Sequence, residues 1–553
     1  MLERLRNLIA RHPAAAAFAA AAVLLSLGAA GSEITRIDVR FAVMVGEVGS
    51  YGPGVFPTIN GFPYADYFSP LVLLAYLTTL GGRWINLWSL ALPSILLGSL
   101  IFALVVAVGE HRRRGLGVIA AVLLAASWEF LLILLSFGID VPVAAAVMLM
   151  LWSYECRPER RRSHPLLFFL LTLLSFAVRG PLGVILFGSV VGGYLLGSRR
   201  WRDTVAAATV GFTGTALAAA VTVGMIRRQG GEALWQLLLD WQIGSRMESD
   251  SPFYYFTNAL LSFAPATLAA VAAVVLRRRK LLAPRFAGWL GAIVLPLLLL
   301  SIPGCKHLRY MTPVVPVCAL LGAEAALPLL RRFGRAVGAA TGRLLRVLPW
   351  VVCSIFVLLG AAGAILWRGE FGALPNFAVG ILAALFLRRL AAGAERFPER
   401  IAAIGALAML LMTVGLFPFV NHFESARPTV RRIEALRRGG RIVIYRLGPD
   451  HDDLKYRLYS DPDASAKTVW TAPQKRRKVP SYLWRMYLWR PLDKVGFRPG
   501  DRVLLAVSRE EEFRSLPQIA GRFTVVRTLD GKLGHRRVVL LRLERNGREV
   551  REE

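Results

Sequence analysis

Four places in the chain set ionisable side chains where they could share one piece of chemistry. Asp38 and Arg40, with Glu47, Asp66 and several aromatics, lie in a polar stretch, residues 31–83, that follows the first apolar segment. Asp140 stands between the apolar run 130–137 and Pro142, with Gly138 before it. Arg179, followed by Gly180 and Pro181, separates two apolar segments, and Lys306, His307, Arg309 and Tyr310 crowd a short polar turn. A carboxylate can take the proton of an alcohol or amine, and cations can stabilise a departing phosphate, so together they suit a transfer reaction with an anionic leaving group. Each has a plainer reading. Asp38 could be an ordinary loop acid, Asp140 a helix N-cap, and Arg179 and Arg309 anchors snorkelling to lipid head groups.

The elements that must position these residues are membrane helices. Apolar residues make up 55% of the 553 residues, and the mean hydropathy is +0.50, more than one ordinary soluble core needs. Stretches near the length of a bilayer span are 13–30, 84–108, 116–137, 140–154, 165–178, 180–197, 204–226, 251–276, 286–302, 310–330, 349–367, 374–392 and 400–421. The net charge of +31 reads as topology and not as a nucleic-acid footprint. With the N-terminus in the cytoplasm, the arginine-rich loops at 112–114, 157–162, 199–202, 277–280, 331–346 and 388–400 all fall on that side, as the positive-inside rule requires. About thirteen spans then leave the stretch 31–83 and the hydrophilic tail from 422 facing the same outer compartment.

Arg4, Arg6 and Arg11 followed by an Ala-rich apolar run resemble a signal peptide, but the many spans that follow favour a retained first helix. Cys156, Cys305, Cys318 and Cys353 are scattered and carry no metal-ligand spacing. The tail 422–553 alternates strand-like runs at 442–447, 502–507, 523–529 and 537–541 with helix-like ones at 430–438 and 509–516, which predicts a small extracytoplasmic α/β domain. No glycine-rich phosphate loop follows these strands. The basic run 475–478 reads as a solvated loop before it reads as a lipid contact. The domains expected are therefore a membrane domain 1–421, holding the outer stretch 31–83, and a soluble domain 422–553.

The order of these features resembles the polyprenyl-phosphate-dependent GT-C glycosyltransferases, especially the bacterial aminoarabinose transferases of lipid A and the protein mannosyltransferases. Ile37-Asp38-Val39-Arg40-Phe41 resembles the family's acidic-acidic-x-Arg-Tyr element, with one acid kept, and Asn60-Gly61-Phe62-Pro63-Tyr64 resembles its Asn-Gly-x-x-Tyr turn. Asp140 matches the acid at the fourth span, Arg179-Gly180 a basic-Gly turn, and Lys306 with Arg309-Tyr310 a late Lys and Arg-Tyr pair.

The resemblance implies a GT-C fold in a bacterial inner membrane. It implies a catalytic Asp38 or Asp140, donor-phosphate contacts from Arg179, Lys306 and Arg309, and substrate contacts from Arg40, Asn60, Tyr64, Asp66 and Tyr310. The implied partners are a polyprenyl-phosphate sugar donor, a lipid, glycan or protein acceptor and membrane lipids, with direct displacement and inversion at the sugar. Two departures stand out. Asp66-Tyr67-Phe68-Ser69-Pro70 replaces Glu-Lys-Pro-Pro, and Ser251-Pro252-Phe253 replaces His-Pro-Phe. The Glu and His that would build a metal site are thus unmatched, and no cofactor is assigned. A flippase is the alternative, but flippases carry their charges at the midplane and often show internal repeats, whereas these charges sit at span ends.

Overall fold

The computed structural model describes residues 2–242, 251, 253–303, 306–367, 371–392 and 397–437, and in the tail 442–446, 458–459, 468–472, 490–491, 502–507, 523–533 and 536–545. Its contacts group into two units. One comprises residues 1–32, 53–57 and 65–419, and the other residues 33–52, 58–64 and 420–553.

The first unit is a bundle of apolar helices. Among the described residues seven helices are long and apolar enough to cross a membrane, and two bent pairs raise the number to nine. The other four expected stretches are helical too. Val141–Cys156, His164–Arg179 and Pro181–Gly197 are short, and Val315–Arg332 carries Glu324, Arg331 and Arg332. The local signals are direct. Asn86 and Ser89 cap the helix Leu87–Arg112 reciprocally, the Asn86 side chain accepting from the Ser89 amide at 2.9 Å and the Ser89 hydroxyl from the Asn86 amide at 3.1 Å.

The two expected spans 116–137 and 251–276 are broken instead of straight. Leu116–Ala125 meets Trp128–Leu134 at 79°, and Tyr255–Ser262 meets Ala266–Leu276 at 112°. Ser127, buried at the first break, donates to Phe263 O at 3.1 Å and accepts from the Ala266 amide at 3.4 Å, so the backbone groups freed at one break are taken up by the other. Helices Pro181–Gly197 and Pro284–Ser301 pack backbone to backbone. A Cβ on Gly193 would lie 2.1 Å from Gly291 O, which only glycine permits.

At the end of the bundle where Leu87–Arg112 stops, Arg112 donates to Glu155 at 3.0 Å and to Glu324, and its guanidinium lies 4.9 Å from the Trp289 ring centroid. Tyr194 also donates to Glu155. This charge cluster ties five helices together. It lies a whole helix away from Asp140, since Glu155 and Asp140 flank opposite ends of Val141–Cys156, about 24 Å at 1.5 Å per residue.

The second unit joins part of the outer stretch to the tail. Sequence polarity predicts a loop at 31–83. The structure instead forms the helix Asp38–Tyr51, whose residues 38–45 and 47 are buried, and, in the first unit, the helix Pro70–Thr78. Scattered polar residues hid the first of these because they too are buried. Strands β1 (Thr58–Ile59) and β2 (Phe62–Pro63) form a hairpin around Asn60 and Gly61, whose φ of 54° and 77° are those of a two-residue primed turn.

Residues 33–36 bond to the start of the tail. Arg36 pairs with both Glu424 oxygens at 2.6 Å, Thr35 donates to Asn421, and Asn421 donates to Glu33 O at 2.6 Å. After the helix Arg427–Arg437 the tail forms a sheet of order β5-β4-β3-β6-β8-β7. Its strands are β3 (Ile442–Arg446), β4 (Thr468–Ala472), β5 (Arg490–Pro491), β6 (Arg502–Val507), β7 (Phe523–Leu533) and β8 (Arg536–Arg545). The first four run parallel, and β8 and β7 are antiparallel additions. The sheet has the predicted α/β character, with β4 and β5 added to the expected strands. The expected helix 509–516, the basic run 475–478 and Cys305 lie outside the described residues.

Candidate active site

In the membrane unit the chain gathers Asp140, Arg179, Arg309, Tyr310 and Tyr67. Asp140 precedes Val141–Cys156, with Pro142 in the first turn, yet its side chain makes no capping bond. The carboxylate faces two arginines. Oδ1 accepts from Arg179 Nε at 3.0 Å, and Oδ2 lies 3.6 Å from Arg309 Nε. Asp140 is fully buried and the Arg179 side chain is 2% exposed, so Arg179 points into protein and does not snorkel to the bilayer surface.

The positions follow from local sequence. Arg179 ends the helix His164–Arg179, where a cation meets the free carbonyls. Gly180 turns the chain at φ 63°, and a Cβ there would lie 2.6 Å from the Phe68 ring. Phe68 is buried with Val55, Phe56, Phe176 and Ile226, its ring 5.3 Å from Phe56 and 6.0 Å from Phe176. That apolar anchor holds the neighbouring Tyr67 in place. The Arg179 guanidinium lies 5.3 Å from the Tyr67 ring centroid and 5.6 Å from that of Tyr310. Arg309, in the short helix Leu308–Met311, donates to the Tyr67 hydroxyl at 3.5 Å.

Three features suit this cluster to an anion. Its two guanidiniums and one carboxylate sum to one positive charge. Arg179 Nη2 and Arg309 Nε are buried with no hydrogen-bond partner, and such donors are costly unless something accepts from them. Both arginines present planar forks suited to phosphate or carboxylate oxygens.

Lys306, buried in the same turn, donates to Pro303 O at 2.7 Å. His307 has solvent on one side and protein on the other. Partial burial, then the positive charge of Arg309 and Arg179, pushes its imidazole from 6.5 down to about 4, with Asp66 opposing. Asp66 is half-buried and close enough for its charge to reach Arg179 and His307.

The remaining candidates belong to the second unit. Asp38 opens the helix Asp38–Tyr51 and is 6% exposed. Two residues on, Arg40 donates to the Tyr64 hydroxyl, its guanidinium 5.0 Å from that ring's centroid. Asn60 belongs to the hairpin turn, whose amides at Asn60 and Gly61 donate to the Glu47 carboxylate at 2.6 and 3.1 Å. The sequence reading left Tyr67 and Glu47 without roles. A tyrosine where a lysine was expected and an acid on the apolar helix face were the available signals. Among the described residues no group of three or more His, Cys, Asp or Glu side chains could hold a metal ion.

Two family models match successive parts of the chain. One is dolichyl-phosphate-mannose-protein mannosyltransferase, over residues 69–226, and the other is the Alg9-like mannosyltransferase family, over residues 249–371. No curated protein matches the sequence. Among solved structures, ArnT from Cupriavidus metallidurans, both apo and bound to undecaprenyl phosphate, shares the fold with a TM-score of 0.64 at 16% identity, covering 95% of this chain and 97% of that one.

Proposed function

We propose that this chain is a membrane glycosyltransferase of the GT-C superfamily that moves a sugar from a polyprenyl-phosphate carrier to an acceptor hydroxyl or amine on the extracytoplasmic face of a bacterial inner membrane. The observation that carries this reading is the buried Arg179–Asp140–Arg309 cluster, in which Arg179 Nη2 and Arg309 Nε make no hydrogen bond within the protein. The undecaprenyl phosphate held by the similarly folded ArnT supports the choice of carrier.

The phosphate oxygens of the donor accept from Arg179 and Arg309, with Lys306 adding charge from the same turn. Asp140 acts as a counter-ion that aims both guanidiniums, since its oxygens are turned to them. The acceptor oxygen or nitrogen attacks the anomeric carbon, and the bond from that carbon to the phosphate oxygen breaks. The electron pair stays on phosphate, which the arginines stabilise, and the acceptor proton passes to a carboxylate, for which Asp38 is the candidate while Asp140 serves as counter-ion. A single displacement inverts the anomeric centre. Arg40, Asn60, Tyr64, Asp66 and Tyr310 are the candidates for sugar and acceptor contacts, and the acceptor is a glycolipid such as lipid A, a cell-wall polymer or a protein.

Mass spectrometry of glycolipids and glycoproteins from deletion cells, restored with wild type, Arg179→Gln or Asp38→Asn, tests the proposal. One sugar mass should vanish on deletion and return with wild type alone. An unchanged profile on deletion would sink the transfer reading, and full rescue by Asp38→Asn would remove Asp38 as the base.

A further inference from the structure

The Ala-rich first span has no part in the chemistry above, yet it forms one wall of an apolar cavity in the membrane unit. This cavity, about 280 Å³, lies between the helices Pro13–Ala30, Leu87–Arg112, Leu116–Ala125, Leu374–Ala391 and Phe397–Leu410. Ala17, Ala21, Phe102, Val122, Leu387 and Ala406 are among its lining residues. The first span lends it methyl groups where leucines would fill the space.

Its depth is set by where those residues fall along their helices. Phe102 and Val106 belong to the last turns before Arg112, Val118 and Val122 to the first turns after Arg114, and Leu387 and Leu390 flank Arg388 and Arg389. The cavity therefore occupies the basic half of the bundle, away from Asp140 and Arg179 at the other helix ends. Glu399 is the charged residue in its lining. The helix ends around it carry exposed cations, namely Arg11, Arg113, Arg114, Arg388 and Arg389. Arg388 lies 4.7 Å from the Trp350 ring centroid, an aromatic and basic pairing typical of the membrane interface.

The cavity is lined almost wholly by apolar side chains and is partly open to its surroundings. In a bilayer the fluid at hand is hydrocarbon, and the surrounding arginines select for a negative head group. We infer that the cavity holds an acyl chain of an anionic phospholipid from the basic-side leaflet, with its phosphate held by Arg388, Arg389 and Arg11. The lipid would act as a wedge between the first span and the two helices that end the bundle. The inference is independent of the transfer reaction.

The full chain, purified in detergent, delipidated and incubated with phosphatidylglycerol or phosphatidylcholine, can be read by native mass spectrometry. Wild type should retain phosphatidylglycerol preferentially. Arg388→Gln and Arg389→Gln should weaken that preference about fivefold for each arginine removed. Ala17→Leu with Ala406→Leu should fill the cavity and lose both lipids, while its melting temperature without lipid matches wild type. If that variant misfolds, the milder Ala17→Val takes its place and should show partial loss. Equal retention by wild type and the filled variants, or no preference between head groups, overturns the proposal. So does preferential retention of polyprenyl phosphate in the cavity.

Discussion

Asp140 can be replaced so as to separate its charge from its shape. At an effective dielectric near 20, its contacts at 3.0 Å with Arg179 and 3.6 Å with Arg309 each carry roughly 5 kcal/mol of attraction, most of it offset by desolvation of the three groups. Removing one partner is a different quantity from that net balance. Asp140→Ala leaves two guanidiniums without a counter-charge, one of them 2% exposed, and should cost about 3–5 kcal/mol. Asp140→Asn keeps the volume and an acceptor for Arg179 Nε, so its loss should be nearer 1–3 kcal/mol, roughly that of a charged hydrogen bond.

Thermal unfolding in one detergent, followed by tryptophan fluorescence, should rank wild type above Asp140→Asn and Asp140→Ala last. Arg179→Met combined with Asp140→Asn should be more stable than either alone, because the 22% exposed Arg309 is then the single remaining charge. Kinetics distinguish orientation from proton transfer. A counter-ion predicts that Asp140→Asn chiefly raises KM for the donor. A fall in kcat of about 100-fold or more at constant KM would make Asp140 the base and refute the assignment. Wild-type stability for Asp140→Ala would refute the electrostatic reasoning itself.

Three further outcomes are expected. Tyr67→Phe keeps the ring beneath Arg179 but loses the hydroxyl at Arg309, and should raise donor KM a few-fold; Tyr67→Ala should raise it about tenfold more, and equal effects would deny the ring a role. Glu47→Gln removes a charged acceptor from two hairpin amides and should lower stability by about 2 kcal/mol, read as a shift in thermal midpoint. His307, lowered to about 4 from 6.5, binds its proton more readily unfolded; its contribution to stability is complete above about pH 6.5 and is lost as pH falls towards 4. Arg309→Gln, by removing one neighbouring cation, should shrink that loss, and thermal midpoints between pH 4 and 7 measure it.

Hydropathy made the bundle legible because lipid demands continuous apolar runs, and each of the thirteen expected stretches is helical. It could not show the breaks at 126–127 and 263–265, where Ser127 supplies hydrogen bonds that an apolar count ignores. Asp140, Arg179, Arg309 and Tyr310 stood out as charge or aromaticity at span ends, and the chain does bring them together. Which partner each would choose was hidden, since pairing depends on tertiary approach. Asp140 might have capped its own helix and instead accepts from a residue 39 positions away. The helix Asp38–Tyr51 escaped notice because its polar residues are as buried as its apolar ones.

The bonds from residues 33–36 to residues 421–424 set an order of assembly. The partners are 386 to 388 positions apart, so at about 5–20 residues per second the ribosome needs roughly 20–80 s between making one and the other. During that interval every helix of the bundle can be inserted, while the segment carrying Asp38 and Arg40 waits for its partner strand of chain. The nascent protein thus acquires its final arrangement around Asp38 only after its last membrane helix has emerged, which makes maturation of that segment a late checkpoint in biogenesis.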